Sequence, residues 1–243
     1  MIKNFAHRGF SGKYPENTML AFEKALATGC DGIEFDLHLT KDDVLVIIHD
    51  EKLDRTTDGK GFVKDYTYKE LCEFDASATY KGVYGVQRIP TLREYFELVK
   101  DHKDFITNIE LKTGVFEYSG IEQKTIDMID EFGLRKNIIF SSFNHFSMLR
   151  CKELAPDIKC GFLEESRIID MGAYTKSHDV QCIHPFFPNL TDPAALAEMK
   201  ANGREINTWT VNTEEDIRLM IKLGVDGIIG NFPDRARRIL SEA

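Results

Sequence analysis

Three acids and two histidines stand where strand geometry would bring them together. In DGIEFDLHLT, residues 31–40, Glu34, Asp36 and His38 alternate with Ile33, Phe35, Leu37 and Leu39. Side chains two apart on a strand share a face, so one face is wholly apolar while the other carries two carboxylates and an imidazole. FITNIELK, residues 105–112, repeats the arrangement, with Asn108, Glu110 and Lys112 opposite Phe105, Ile109 and Leu111. Glu34, Asp36 and Glu110 form an all-oxygen set of hard ligands, which suits Mg2+ or Ca2+ better than Zn2+. Packed together they cannot all stay ionised without compensation, because desolvation and mutual repulsion both disfavour the charged form. A divalent cation supplies that compensation. A salt-bridge network with Arg8 and Lys112, without metal, is the other solution, and residue types alone leave both open.

His7 and His49 are the natural acid–base candidates, since an imidazole titrates near neutral pH. His7 adjoins Arg8 and His49 adjoins Asp50. His38 can join the site or only support a ligand. His102, His145, His178 and His184 have no comparable company and are read as background.

The elements that must position these groups follow from the hydrophobic pattern. Strands are expected at 2–6, 32–38, 105–111, 137–141, 158–163, 180–184, 205–211 and 226–230. Helices are expected near 17–28, 91–100, 119–132, 144–154, 192–202, 213–223 and 233–241, with a weaker one at 166–174. In NTEEDIRLMIKLG, Asn212 or Thr213 can cap, acids fill the first turn and Gly224 follows the end. Alternating strands and helices imply βαβ units, and eight of each in 243 residues imply a single α/β domain, a (β/α)8 TIM barrel. Residues 43–90 break the rhythm with a short strand, VLVIIHD, and a turn-rich stretch too long for a simple loop. A small insertion after the second strand, residues 50–88, is therefore expected. Barrel active sites lie at the C-terminal ends of the strands. His7, Arg8, Glu34, Asp36, Glu110, Lys112, Trp209 and Asn231 all fall toward that end.

The chain is 42% hydrophobic and 29% charged, which suits a soluble globular protein. Its net charge of −9 disfavours nucleic acid and anionic membrane as partners. Five cysteines without a CxxC pair indicate reduced, mostly buried thiols rather than a disulfide framework or zinc knuckle. No apolar run approaches a membrane span and MIKNFAHRGF lacks a signal-peptide core, so a cytoplasmic protein without stable membrane anchoring is expected.

With these residues in place, the sequence resembles the glycerophosphodiester phosphodiesterase family, whose members adopt a TIM barrel. The shared segments are HRG at 7–9, PENT at 15–18, EFDLHLTKD at 34–42 and HDEKLDRTTDGKG at 49–61. IPTLREYFEL at 89–98, IELK at 109–112, SSF at 141–143, WTVN at 209–212 and GVDGII at 224–229 complete the series in family order. The resemblance implies a divalent metal on Glu34, Asp36 and Glu110, general acid and base roles for His7 and His49, and phosphoryl-oxygen binding by Arg8 and Lys112. It implies hydrolysis of a small-molecule glycerophosphodiester to glycerol 3-phosphate and an alcohol, with the glycerol 2-hydroxyl or water as nucleophile. Trp209 would pack against the glycerol moiety or a choline-like cation. One departure is Gly230-Asn231-Phe232-Pro233, where the family often carries a threonine after the eighth strand. Three rivals remain: lysophospholipase D-type hydrolysis of lysophospholipids, a metal-dependent lyase or isomerase with Lys112 as base, and a non-catalytic phosphodiester-binding barrel.

Overall fold

The computed structural model describes residues 1–242. Its frame is a ring of eight parallel strands. These are β1 (Lys3–His7), β2 (Gly32–Leu39), β4 (Ile106–Leu111), β5 (Ile138–Ser142), β6 (Lys159–Glu164), β7 (Cys182–Pro185), β8 (Glu205–Thr208) and β9 (Gly227–Gly230). They pair in the order β1-β9-β8-β7-β6-β5-β4-β2, and β1 closes the ring onto β2 through His7 opposite Glu34. A three-residue strand, β3 (Leu45–Ile47), runs antiparallel along β2 outside the ring. This is the expected TIM barrel.

The alternating pattern places each face as the sequence suggests. Ile33, Phe35, Leu37 and Leu39 turn outward into the apolar layer under the helices, where Phe22, Phe35 and Tyr95 meet with ring centroids 4.6–5.9 Å apart. Burying side chains of this size contributes about 1.5–3 kcal/mol each. Inside the barrel, Phe5, Ile139, Cys182 and Ile229 form a separate apolar plug beneath the polar residues. Glycines make room for it. A Cβ on Gly32 or on Gly227 would lie 2.8 Å from the Phe5 ring. All five cysteines are free thiols, and four are buried.

Local signals set most boundaries. Helix α8 (Glu214–Leu223) starts at Thr213, whose side chain accepts from the Asp216 N–H, and stops at Gly224 with φ +66°. Asn212, the other candidate cap, instead accepts from the Asn231 N–H at 2.8 Å. Helix α9 spans Pro233–Ser241 as expected. Two expectations need correction. The strand expected at 205–211 ends at Thr208, because Trp209 is held by one bridge to Phe186 and the chain then turns toward Ile229. The weak helix expected at 166–174 lies instead at Met171–Ser177, labelled α6. Its free N–H groups at Gly172 and Ala173 are taken by the Glu198 carboxylate, at 2.7 and 2.8 Å, from helix α7 (Pro193–Ala201). A cap supplied from another element leaves no mark in the local sequence.

The turn-rich segment after β3 carries only one α-helix, α2 (Tyr68–Leu71), and packs Leu53, Val63, Leu71 and Ala76 against Val46, Ile48 and Ile89. Tyr66, Tyr68 and Phe74 cover this small core. Tyr80 and Tyr84 reach back, their hydroxyls donating to the carbonyls of Tyr14 and Lys13 at 3.1 and 2.5 Å. No helix of the described residues is long and apolar enough to cross a membrane.

Candidate active site

The C-terminal ends of β1, β2 and β4 converge on a cavity lined by His7, Arg8, Glu34, His49, Glu110 and Trp209, among others. Glu34, Asp36 and Glu110 are buried, and one ligand atom from each falls within 4.8 Å of the others. Two cations serve this cluster. The guanidinium of Arg8 lies 3.3 Å from Asp36 and donates to Glu16 at 2.9 Å; the ammonium of Lys112 donates to Glu110 at 2.9 Å and lies 3.7 Å from Asp36. Asn17 donates to the second oxygen of Asp36 at 2.9 Å.

The electrostatics follow from these distances. Burial opposes ionisation of Asp36, but Arg8, Lys112 and His49 outweigh it and hold its carboxyl well below the usual range. Burial, Asp36 and Glu110 push Glu34 well above the usual carboxylate value. Burial likewise raises Glu110, against the pull of Lys112. Glu34 has no lysine or arginine side chain paired to it among the described residues; it receives the Arg8 backbone N–H at 3.2 Å, and His7 stands 3.9 Å away. Oδ1 of Asp36 is buried with no hydrogen-bond partner among the described residues. Salt bridges to Arg8 and Lys112 therefore do form, yet they leave one buried carboxylate uncompensated and one acid oxygen unmatched. The donor set and this residual negative charge fit a hard divalent cation.

Each histidine is anchored by one ring nitrogen and aimed with the other. Nδ1 of His7 meets Oδ1 of Asn231 at 2.6 Å, and its Nε2 turns to Glu34. Nδ1 of His49 meets Oδ1 of Asp50 at 2.6 Å, and its Nε2 lies 3.3 Å from the Lys112 ammonium and 4.0 Å from Asp36. Burial, followed by the neighbouring Arg8, lowers the pKa of His7 to about 3. His38 supports the site from beside the cavity, its Nε2 3.1 Å from the His49 carbonyl and its Nδ1 2.9 Å from the Tyr118 hydroxyl. Trp209 donates its indole N–H to the His184 carbonyl at 2.8 Å and packs between Phe143 and Phe186, so its ring faces the cavity while its polar atom is committed.

Backbone geometry contributes directly. Arg8 sits at φ +55° and Asn17 at φ +54°, left-handed conformations that cost a non-glycine residue about 1–2 kcal/mol. Arg8 is held there because its N–H reaches the Glu34 carbonyl at 2.7 Å while its carbonyl accepts from the Asn17 N–H at 3.0 Å. The turn that strains Arg8 thereby joins it to both β2 and the PENT segment.

The structure brings together His7, Arg8, Glu34, Asp36, His49, Glu110, Lys112 and Trp209, all named from the sequence. It also adds groups to which sequence reasoning gives no role. Arg55 bridges Glu16 and Asp50, donating to Glu16 at 2.7 Å and to Asp50 at 2.8 Å. Asn231 orients His7. Asn108, Ser141 and His184 line the inner part of the cavity. The motifs PENT and HDEKLDRTTDGKG contain Glu16, Asn17 and Arg55, so the signal was present as motif without a partner.

Comparison with known proteins agrees with this geometry. The model of the glycerophosphoryl diester phosphodiesterase family matches residues 7–235. A glycerophosphodiester phosphodiesterase of Bacillus altitudinis is 45% identical over 243 residues, covering 100% of this chain and 99% of the relative. One from Caldanaerobacter subterraneus is 45% identical over 229 residues, covering 94% and 93%. Among solved structures, an Oleispira antarctica phosphodiesterase in complex with the product sn-glycerol-3-phosphate matches with a TM-score of 0.86 at 29% identity, over 98% of this chain and 96% of that one. A glycerophosphodiester phosphodiesterase from Agrobacterium tumefaciens matches with a TM-score of 0.85 at 26% identity, over 98% and 100%. The end-to-end match, laid over a closed eight-stranded barrel, places the chain in the glycerophosphoryl diester phosphodiesterase family and makes it a phosphoric diester hydrolase.

Proposed function

We propose that the chain cleaves water-soluble glycerophosphodiesters such as glycerophosphocholine and glycerophosphoethanolamine to sn-glycerol 3-phosphate and the free alcohol, with Mg2+ or Ca2+ on Glu34, Asp36 and Glu110. The observation that carries this reading is that two anchored imidazoles present Nε2 toward one buried carboxylate cluster, at 3.9 Å from Glu34 and 4.0 Å from Asp36. When bound, the cation supplies charge stabilisation for the phosphoryl oxygens.

The rest of the chemistry belongs to the chain. A phosphodiester anion repels an incoming nucleophile, and its alkoxide leaving group is poor. Arg8 and Lys112 lie beside the acid cluster and can donate to phosphoryl oxygens, lowering the first barrier. One histidine gives its Nε2 proton to the departing oxygen, and the other takes the proton of the attacking hydroxyl at Nε2. The proton count balances over the cycle. The same pair serves attack by the glycerol 2-hydroxyl, through a cyclic phosphate, and attack by water. Asn231 and Asp50 keep the imidazoles aimed by holding Nδ1.

The lyase reading needs Lys112 as a neutral base, and its ion pairs with Glu110 and Asp36 oppose that. A binding-only barrel has no use for two oriented imidazoles. The deciding experiment is incubation with glycerophosphocholine and assay of sn-glycerol 3-phosphate, with and without EDTA. Release that stops with chelator and returns with Mg2+ or Ca2+ supports the proposal; no release under any metal overturns it.

A further inference from the structure

His38 shares a strand face with Glu34 and Asp36 and has no part in the chemistry above. It is fully buried, and both of its ring nitrogens are engaged. Nε2 lies 3.1 Å from the His49 carbonyl. A carbonyl only accepts, so the proton sits on Nε2 and the neutral ring leaves Nδ1 bare. Tyr118 then donates its hydroxyl proton to Nδ1 at 2.9 Å. The two rings meet edge-on, with centroids 5.5 Å apart and an interplanar angle of 89°. The hydrogen bonds run one way, from Tyr118 through His38 to the backbone of His49. No nitrogen of His38 is left for a cation or a substrate.

The two ends of this relay lie on segments outside the barrel ladder. His49 follows β3 outside any strand, and its carbonyl accepts from no backbone N–H of the described residues. Its ring is anchored by Asp50, the next residue, so imidazole and anchor travel on the same stretch of chain. His38 belongs to β2, the strand that carries Glu34 and Asp36, and it ties His49 to that frame. Tyr118 lies in the loop that follows Lys112 and holds φ +43°, a left-handed backbone that a tyrosine adopts only where its surroundings enforce it. Phe116 extends the contact, its ring 6.0 Å from Tyr118 and 5.4 Å from Phe62 of the turn-rich segment, with the Lys64 ammonium 4.9 Å above it. This docked loop begins at Lys112, whose ammonium lies 3.3 Å from Nε2 of His49.

We infer that His38 and Tyr118 are positioning residues for His49, a one-way relay that fixes the backbone under the imidazole against the strand carrying Glu34 and Asp36. This rests on the proposed acid–base role of His49 and adds what holds that residue in register. Asp50 sets the rotation of the ring, and His38 sets where the ring starts from. The relay also links the loop after Lys112 to the loop of His49, so the phosphoryl-binding cation and the imidazole keep a common reference. A misplacement of about 1 Å is enough to cost a reaction about 10²-fold, which is why a group that touches no substrate matters here.

The test uses side chains that copy one ring nitrogen each. In His38→Gln the amide reaches the Nε2 position and keeps the donor to His49; in His38→Asn it reaches only the Nδ1 position, and that donor is lost. With glycerophosphocholine, His38→Asn and His38→Leu should lower kcat by at least about tenfold with KM within about twofold of wild type, while His38→Gln should stay within about threefold in kcat. Tyr118→Phe should lower kcat by about threefold alone and no further in His38→Leu, since it acts through His38. Full kcat in folded His38→Leu, or a glutamine no better than the asparagine, overturns the inference. Mg2+ should raise the melting temperature of His38→Asn as much as that of wild type; a smaller rise assigns His38 to the metal site and also overturns it. Nitrogen NMR of the histidine-labelled protein needs neither turnover nor a variant for its first reading. His38 should carry its proton on Nε2, and a proton on Nδ1 overturns the inference. In the same spectra the His49 ring signals should shift in His38→Asn and stay in place in His38→Gln. If they do so while no glycerophosphodiester is turned over, the relay is supported and the functional reading fails. Unmoved His49 signals in His38→Asn overturn the relay whatever the turnover.

Discussion

Oδ1 of Asn231 lies 2.6 Å from Nδ1 of His7, the two residues coming from opposite ends of the chain and meeting where β9 closes the barrel onto β1. The departure from the family pattern lies one residue earlier, at Gly230, where the family often carries threonine. Asn231 itself holds Nδ1 of His7 and leaves Nε2 turned toward Glu34.

A coupling experiment follows from that contact. His7→Ala and His49→Ala should each lower kcat by at least about 10²-fold, the usual scale for a general acid or base. Asn231→Leu should lower kcat by about tenfold with little change in KM, since it loosens the imidazole without removing it. The double variant His7→Ala/Asn231→Leu should be no slower than His7→Ala alone, because Asn231 acts through His7. Full additivity in steady-state kinetics would separate the two residues.

Metal removal provides the second prediction. Glu34→Gln and Glu110→Gln should abolish turnover while keeping the barrel folded by circular dichroism. Mg2+ or Ca2+ should raise the melting temperature of the stripped wild type, because a buried carboxylate gains a cation. That gain should shrink in either variant. Complete turnover in excess EDTA after stripping contradicts the assignment.

Stability should also depend on pH in a direction fixed by the buried histidines. Burial lowers His184 to about 3 from its ordinary 6.5, and His38 to about 4. Below 6.5 the unfolded chain takes up protons that the folded chain refuses, so stability falls as pH drops from 6.5 toward 4. Each such group contributes up to about 1.4 kcal/mol per pH unit in that window. In urea unfolding of the metal-stripped protein, the loss between about pH 7 and about pH 5 should be smaller in His184→Gln by about 2 kcal/mol. An unaltered slope would mean that His184 is protonated in the folded state.

Substrate choice is tested at the rim. Recognition centred on glycerol phosphate predicts similar kcat/KM for glycerophosphocholine and glycerophosphoethanolamine. The mouth side also exposes apolar groups, with Phe146 74% and Ile169 88% accessible on the segments after β5 and β6, so lysophosphatidylcholine is the informative third substrate. It should react more slowly, below and above its micellar concentration. A clear preference for the micellar lipid would move the enzyme to lysophospholipase D chemistry.

How much of this was legible in the sequence depended on whether a residue and its partner lie on one element. Glu34 and Asp36 announce themselves because a period of two sets acids against a fully apolar face. Lys112 and Glu110 do the same on the next barrel strand. His184 does not: its strand, QCIHPFF, has no second polar residue in register, and its partner Asn207 becomes a neighbour only when β8 pairs with β7. The same reason hides Asn231 and the Glu198 cap of α6. Strand ends were harder than strand existence, as Trp209 shows, because the backbone leaves the sheet there to turn an indole toward the cavity.

Arg55 limits how the accessory segment can be engineered. It comes from the accessory segment and clasps Glu16, the partner of Arg8, and Asp50, the anchor of His49. The segment has its own small core, so it looks exchangeable, a rim piece that could be swapped to retune what the barrel accepts. Yet a graft that omits Arg55 leaves two acids without their shared cation and loosens the partners of Arg8 and His49 together. Loop transplantation in this barrel has to carry that one arginine, at that reach, or it delivers a folded scaffold whose two sides no longer keep step.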